Sequence, residues 1–474
     1  LFIPLEYPQF HRDAGMALIA AMDSFQDAFD QNQPVGGLAV KVVVIGSGGR
    51  EHAICLQLAR SPRVTEVIAC PGNPGTARLG RCWNQIDPIV QIDAFIERCK
   101  SEQIDHVVIG PEAPLVAGVA DRLRSAGIAA FGPGAAAARL EGSKAYSKQF
   151  MDRHQIPTAI HRTIDHIDDL EAALDALPPQ VVVKASGLAA GKGVIVCEDR
   201  QQARQAATAM LVEGSFGESG RVVVLEERMH GPEVSVLAIV DGTDALLLPT
   251  AQDHKPLLDG NIGPNTGGMG AFCPGTVIGS GDLDTIRRTI IEPTLEGLVA
   301  DQIEYSGVLY AGLMMTKSGP RVLEYNCRLG DPETQPVLLR LTSDFADILE
   351  ATADHSPSSA SVTWDPRPSL CLVLASDGYP AAPRKGQVIE GEIFSDVDDD
   401  IQVFHAGTTT GPDATCVVSG GRVLGVTALA DSLEDAKQRV YDRASQIQFD
   451  GKICRGDIGT YQETYNISES LEQQ

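Results

Sequence analysis

The sequence predicts a multidomain protein of mixed α/β and α+β class, on three observations. Its 474 residues exceed what one compact core holds, and about three domains is the expectation at that length. From Val40 onward short apolar strands alternate with helical stretches, the pattern of an open parallel sheet. Further on, longer strands are joined through glycine-rich turns, and the chain closes on strands followed by a helix, as a small α+β domain does.

Taken in order, residues 1–39 read as an N-terminal appendage, because the first strand and glycine turn begin only with "LAVKVVVIG". Residues 40–140 form the open parallel α/β domain, with strands in Lys41 to Ile45, "VTEVIAC", "DHVVIGPE" and "GIAAFGP" and helices such as "APLVAGVADRLRSAG" between them. Residues 141–355 form a two-part middle domain. Its helix "KAYSKQFMDRH" is capped by Ser143 and ends before Pro157. A small unit over about residues 158–231 follows, then a larger one containing "VSVLAIVDG" and "VLEYNCRLGDPETQ". The Ser- and Pro-rich "DHSPSSASVTWDPRPS" is a linker. Residues 366–465 make a separate C-terminal α+β domain ending in the helix "SLEDAKQRVYDRASQI".

Composition excludes several classes. A net charge of −25 repels nucleic acid and anionic membranes, so neither is expected as a partner. An anionic substrate must then be drawn in by locally placed Lys, Arg and backbone N–H groups. The 10 cysteines contain no C-x-x-C pair, which points to reduced thiols and a cytoplasmic protein. No apolar run approaches the roughly 18 residues of a membrane span. Ala14 to Met22 is apolar but lacks the basic start and cleavage site of a signal peptide.

Three glycine- or proline-rich loops, "GSGGRE", "PGNPGT" and "GPEAPL", follow strands of the parallel sheet and so share its carboxyl edge, where such sheets bind ligands. Singly each reads as a tight turn; together they outline a pocket. A dinucleotide is disfavoured there. Gly46 and Gly48 fit the first two fingerprint positions, but Glu51 stands in place of the third glycine, and the second strand ends in Cys70-Pro71 with no carboxylate for a ribose. The N–H groups of Gly48 and Gly49 at a helix start, beside Arg50, suit a phosphate monoester.

A second loop lies in "VVVKASGLAAGKGVIV", Val181 to Val196. It is no Walker A loop, since three residues separate Gly187 from Gly191 and Lys192 precedes Gly193 rather than Ser or Thr. It runs into a β-branched strand, which makes it a glycine-rich hairpin flap. Lys144, Lys184 and Lys192 gather three ammonium groups around it, enough to neutralise a triphosphate. In "RVLEYNCR", Glu324 and Asn326 sit two apart on a strand and share a face, a pair of hard oxygen ligands suited to magnesium. Backbone groups at Glu226 to Met229 are placed to read an adenine edge, and Glu233 to hold ribose hydroxyls.

The motifs "GSGGREHA", "GPEAPLVAGV", "LEGSKA", "GLAAGKGV", "QDHK", "GPNTGGMGA" and "EYNCRLGDPETQ" together resemble the phosphoribosylamine-glycine ligases, or glycinamide ribonucleotide synthetases, of the ATP-grasp superfamily, over about residues 40 to 465. The resemblance implies a two-subdomain ATP-grasp fold in the middle domain and a monomer. It implies ATP-dependent ligation of glycine to 5-phosphoribosylamine through a glycyl phosphate, with Mg2+ or Mn2+ as cofactor. By the same resemblance, ATP is held by Lys144, Lys184, Gly187, Gly191, Lys192, Gly193, Glu226, Glu227, Met229 and Glu233, and the metal by Glu324 and Asn326. Gly48, Gly49, Arg50, Glu51, Asn73, Pro111, Glu112 and Ala113 line the sugar phosphate site. Asp253, Lys255, Thr266, Gly267, Gly268, Met269, Arg328, Asp331, Pro332, Glu333 and Thr334 surround the reacting centre, where Lys192, Lys255 and Arg328 act in catalysis.

Three positions depart from the family pattern. Ser186 stands for the usual Asp of the flap, Pro256 for an Arg after "QDHK", and Asn261-Ile262 for Asp-Thr before "GPNTGG". Relatives begin with a methionine where Val40 stands, so residues 1–39 are expected to be dispensable. Two rivals remain: an ATP-grasp ligase for another amine, and a nucleotide-sensing protein without turnover.

Overall fold

The structure, a computed structural model, describes residues 39–189, 191–394 and 399–460. Residues 1–38 of the expected appendage and 461–465 of the expected C-terminal domain lie outside the described residues.

Strands β1 (Val40–Gly46), β2 (Val64–Pro71), β3 (Arg81–Cys82), β4 (His106–Ile109) and β5 (Ala129–Phe131) form one sheet in the order β3-β2-β1-β4-β5, with every neighbouring pair parallel. Val42, Val43 and Val44 of β1 are wholly buried, as a strand covered on both faces requires. The carboxyl ends of β1, β2 and β4 lead into the three glycine- and proline-rich loops. The stretch read as one helix after β4 is two, Glu112–Val116 and Val119–Ser125, because Gly118 adopts a left-handed φ of 79° that breaks the helical run.

The helix Lys144–Arg153 starts at Ser143, whose side chain accepts from the Tyr146 N–H. Next come β6 (His161–Ile164), β7 (Val181–Ala185), β8 (Val194–Cys197) and β9 (Val223–Glu227), an antiparallel sheet in the order β6-β9-β7-β8. The β7–β8 hairpin carries the flap. This small unit has its own apolar core of Ile164, Leu174, Val183, Met210 and Leu225. A unit with its own core is able to move as a body.

The chain continues through β10 (Glu233–Asp241), β11 (Asp244–Leu247), β12 (Gln252–Asp253), β13 (Pro256–Leu258), β14 (Ile262–Asn265) and β15 (Gly270–Cys273) to the long β16 (Ser306–Thr316) and β17 (Gly319–Asn326). Antiparallel pairing gives a second sheet, β11-β10-β16-β17. Its Val236, Leu309 and Met315 share one core with Val43, Ile45 and Val107 of the parallel sheet. The N-terminal domain and the larger middle unit are therefore one frame, against which the flap unit packs with a core of its own.

Strands β18 (Ser369–Ser376), β19 (Ile401–His405), β22 (Arg422–Leu429) and β23 (Lys452–Ile453) make the C-terminal sheet, while β20 (Thr408–Thr410) and β21 (Cys416–Val418) form a separate ribbon. The sheet does not stop at residue 366. Its path is β12-β15-β18-β22-β19, with β23 on β18, so two strands of the middle segment belong to it. The chain between β12 and β15, residues 254–269, is consequently rooted in the C-terminal sheet. The N-terminal parallel sheet, two-part middle and small C-terminal α+β layer otherwise match the fold expected from sequence.

Candidate active site

A cavity of about 860 Å³ opens between the flap unit, the larger middle unit and the C-terminal sheet. Its lining gathers Lys144, Lys184, Gly191, Lys192, Gly193, Glu226, Glu227, Met229 and Glu233 with Asp253, Lys255, Thr266, Gly267, Glu324, Asn326, Arg328, Asp331 and Glu333, and with Arg50 and Glu112 from the N-terminal domain. Residues spread over all three parts of the sequence thus meet on one surface.

One end is cationic. Lys184 leaves β7 to place its ammonium 2.8 Å from Glu226 Oε2, and Lys148 stands 3.2 Å from Oε1 of the same carboxylate. Lys148 also donates to Thr158 Oγ1 at 2.7 Å. Burial pushes the Lys148 ammonium down to about 8, against the attraction of Glu226. Burial lowers Lys144 as well, with Glu324 opposing the shift. Burial would raise the Glu226 carboxyl, but Lys148 and Lys184 hold it below the usual carboxylate range. Two cations share one anion here, an excess of positive charge suited to phosphates.

The neighbouring region is anionic. Lys255 lies 3.1 Å from Glu233 Oε2 and 3.8 Å from Glu324 Oε1. Burial would lower Lys255, yet Glu233, Asp253 and Glu324 hold it well above its usual value. Burial, with Glu333, Glu233 and Glu324 adding to it and Lys255 opposing, pushes the Asp253 carboxyl up to about 7. Glu333 accepts a 2.5 Å hydrogen bond from the Tyr310 hydroxyl, which fixes it beside this group.

Arg328 links the middle unit to the N-terminal domain. Its Nη2 is 2.9 Å from Glu141 Oε1 and donates to Asn326 Oδ1 at 3.0 Å, and its Nε is 3.8 Å from Glu112. Burial would lower this guanidinium, and Glu141 and Glu112 raise it. Arg50 donates from Nη1 to the Leu329 carbonyl at 3.1 Å, so the same loop is held from both sides.

Glu324 and Asn326 fit a hard divalent cation in part. Both lie on β17, and about a third of the Glu324 side chain is exposed to the cavity. Burial would raise its carboxyl, but Lys255, Lys184 and Lys144 hold it below the usual range, so it stays an anionic ligand. Asn326 Oδ1 retains a second lone pair beside its bond from Arg328. Among the described residues no group of three His, Cys, Asp or Glu side chains gathers as a metal cage. An ion here needs phosphate oxygens to complete its shell, as magnesium characteristically does.

Other sequence-predicted residues lie behind the lining. Glu51 accepts from the Gly48 N–H and from Arg50 Nε, both at 2.6 Å, so the helix start expected to meet a phosphate already faces a carboxylate. Asn73 donates to the Ser47 and His405 carbonyls and accepts from the Gly75 and Thr76 N–H groups, which commits both donors of its amide to the protein. Gly187 accepts a 3.4 Å bond from Lys144. Gly49, Pro111, Ala113, Gly268, Met269, Pro332 and Thr334 are likewise outside the cavity surface. Sequence reasoning missed Lys148, Glu141, Tyr310, Tyr379 and Arg422, all of which line it. Lys148 had a signal, since it follows Lys144 by one helical turn and shares its face.

The departures have local partners. Ser186 Oγ accepts from the Ala145 N–H at 3.1 Å, supporting the start of the Lys144 helix without a charge. The Pro256 carbonyl and Asn261 Oδ1 each accept from the buried Arg455 guanidinium at 2.9 Å.

Family models for the phosphoribosylglycinamide synthetase N domain, ATP-grasp (A) domain and C domain match residues 40–141, 142–334 and 369–461. The chain belongs to the phosphoribosylglycinamide synthetase family. Relatives within it include the phosphoribosylamine–glycine ligase of Xanthomonas campestris pv. campestris, 46% identical over 421 residues, covering 89% of this chain and 97% of that protein. The Ralstonia nicotianae ligase is 47% identical over 423 residues, at 89% and 99% coverage. The solved phosphoribosylamine–glycine ligase of Thermotoga maritima superposes with a TM-score of 0.77 at 32% identity, covering 88% of this chain and 100% of that one. A biotin carboxylase domain from Hydrogenobacter thermophilus shares the fold alone, with a TM-score of 0.68 at 14% identity over 88% of this chain and 92% of that one.

Proposed function

We propose that the chain joins glycine to 5-phosphoribosylamine, converting ATP to ADP and phosphate and yielding glycinamide ribonucleotide, a step of purine biosynthesis. The observation that carries this reading is the single cavity in which a lysine-rich end adjoins a carboxylate-ringed Lys255 and the arginines of the N-terminal side. A ligase of this kind needs all three: cations for a triphosphate, oxygen ligands for a metal, and a site for a sugar phosphate.

A carboxylate is a poor electrophile, and here it is activated as glycyl phosphate. Lys144, Lys184 and Lys192 hold the phosphates, while Glu226 to Met229 and Glu233 take the nucleoside. Glu324 and Asn326 hold Mg2+ or Mn2+, which supplies charge neutralisation at the phosphate oxygens. Lys255 and Arg328 stabilise charge where the glycine carboxylate meets the γ-phosphoryl. Arg50 and Glu112, which reach the cavity, take the sugar phosphate, and Gly48, Gly49, Glu51, Asn73, Pro111, Ala113, Gly268, Met269, Pro332 and Thr334 shape the loops around the substrates. Among the described lining residues there is no cysteine, and Ser147 has no hydrogen-bonded base, so no activated Ser or Cys nucleophile is present there to carry an acyl group. We read the protein as a cytoplasmic monomer.

Product identification tests the reading. With ATP, magnesium, glycine and phosphoribosylamine the expected product is glycinamide ribonucleotide, and omitting either small substrate abolishes it. Formation of a different amide from another amine would replace the assignment.

A further inference from the structure

We infer that Arg422 and Tyr379 of the C-terminal domain are positioning residues that hold the seat on which the phosphate flap rests, and so keep ATP consumption coupled to amide formation. The inference rests on the ligase reading and deepens it.

The seat is the loop at Thr266–Gly267. On the flap side, Gly191 has a left-handed φ of 75°, and a Cβ placed there meets the Thr266 carbonyl oxygen at 3.0 Å and the Gly267 Cα at 3.5 Å. Backbone therefore lies close to backbone, and a side chain at Gly191 is strained by its positive φ and presses on the Thr266 carbonyl. The neighbouring Lys192 turns into the cavity from this point of contact.

The C-terminal domain grips the same loop from behind. Arg422 begins β22, after the Gly420-Gly421 turn. Its Nη1 donates to the Gly267 carbonyl at 2.7 Å and to the Asp331 carbonyl at 2.5 Å, and its Nη2 lies 3.1 Å from Asp331 Oδ2. The Gly267 N–H donates to the Tyr379 hydroxyl at 2.9 Å. Both polar groups of Gly267 are thus held by one domain, and the same guanidinium ties this loop to the loop after β17. The loop is held on either side of Gly267, by the Thr266 N–H and hydroxyl donating to the Lys255 carbonyl at 2.8 and 2.7 Å, the Gly268 N–H donating to Thr266 Oγ1 at 2.9 Å and the Met269 N–H donating to the His254 carbonyl at 2.8 Å. Arg422 and Tyr379 fix the peptide groups of Gly267 itself, where the flap touches it.

The consequence is chemical. Glycyl phosphate is a mixed anhydride whose carbonyl water also attacks when admitted, regenerating glycine and releasing phosphate, so that ATP is consumed without product. A seated flap excludes that water. A loop free to shift lifts the support from Gly191, and the hairpin stands off.

The test is the ratio of ADP to glycinamide ribonucleotide formed by Arg422→Gln, Tyr379→Phe and Gly191→Ala, with ATP, magnesium, glycine and phosphoribosylamine present and thermal unfolding measured alongside. The unaltered protein is expected to form one ADP per amide. Arg422→Gln and Gly191→Ala are expected to raise the ratio severalfold, and Tyr379→Phe less, with the excess ADP dependent on glycine. Slower turnover at an unchanged ratio would overturn the inference, since a purely structural role lowers the amount of active protein and not its coupling. Should Arg422→Gln fail to fold, an unchanged ratio in the other two variants overturns it equally. Absence of amide from the unaltered protein would instead remove the ligase reading, a separate outcome.

Discussion

At one end of the cavity Lys148 and Lys184 share a single carboxylate, Glu226, with Lys144 on the same cationic side, whereas nearby a single lysine, Lys255, is ringed by Glu233, Asp253 and Glu324. The two regions deform their titrating groups in opposite senses. Burial among cations takes Lys148 down to about 8, and burial among anions takes Asp253 up to about 7. Each region alone is electrostatically unbalanced, and each is relieved by what the other cannot bind: an anionic triphosphate in the first, a cation in the second. Charge-perturbed groups of this kind gather at functional sites because the ligand supplies the missing partner.

The contrast is broken most strongly by removing the one anion of the cationic end. Glu226→Gln leaves Lys148 and Lys184 buried without their carboxylate, a change expected to cost about 4 kcal/mol. Urea unfolding reads it, and an unchanged midpoint would mean that the lysines find other partners. Because the folded Glu226 carboxyl lies below its reference value, the stability it contributes is present above about 4.5 and is lost as the pH falls.

At the anionic end, Glu324→Ala is expected to lower turnover by about 3 kcal/mol in the transition state, the typical size of an electrostatic term at a reacting centre. Folding stability should barely move, since the side chain is partly open to the cavity. Unchanged turnover at modest magnesium would take Glu324 out of the metal site.

Titration of the ligand-free protein sharpens the comparison. Asp253 has its folded pKa raised, so its stabilising contribution is complete below about 3.8 and is lost as pH rises through about 7. Lys148 has its folded pKa lowered, so stability rises with pH between about 8 and 10.5. Asp253→Asn should therefore gain on the parent protein as pH climbs from about 3.8 to about 7 and hold that gain above it, and Lys148→Met should flatten the slope at the alkaline end. Parallel stability profiles for parent and variants would show that the two regions are not opposed.

The smallest effect is expected at Ser186. Its hydroxyl already accepts the Ala145 N–H, so Ser186→Asp restores the family's residue at a change of about 1 kcal/mol or less in stability. A large loss there, measured by thermal unfolding, would show that the neutral acceptor is required beside Lys144.

The same two regions differ in how far the sequence disclosed them. The flap lysines and the Glu324–Asn326 pair were legible because each lies in a local pattern: a glycine hairpin between β-branched strands, and a two-residue spacing along one strand face. The parallel sheet and the Ser143 cap were legible for the same reason. The Glu226 ion pairs were not, since the sequence shows a strand-end carboxylate without showing the helix that brings Lys148 against it. Nor were Arg422 and Tyr379, which reach Gly267 from 155 and 112 residues away. The transfer of β12 and β15 to the C-terminal sheet was hidden too, because short strands carry no mark of the partner they will choose.

Oxygen transfer from glycine tests most directly the claim that these two regions act on one reaction. Glycine labelled with heavy oxygen in its carboxylate, supplied with ATP, magnesium and phosphoribosylamine, is predicted to give one labelled oxygen to each phosphate released, because glycine's own oxygen attacks the γ-phosphoryl and departs with it when the amine arrives. Mass spectrometry of the phosphate reads the result. Unlabelled phosphate released alongside labelled glycinamide ribonucleotide would contradict the account, since water rather than glycine would then have taken the phosphoryl group.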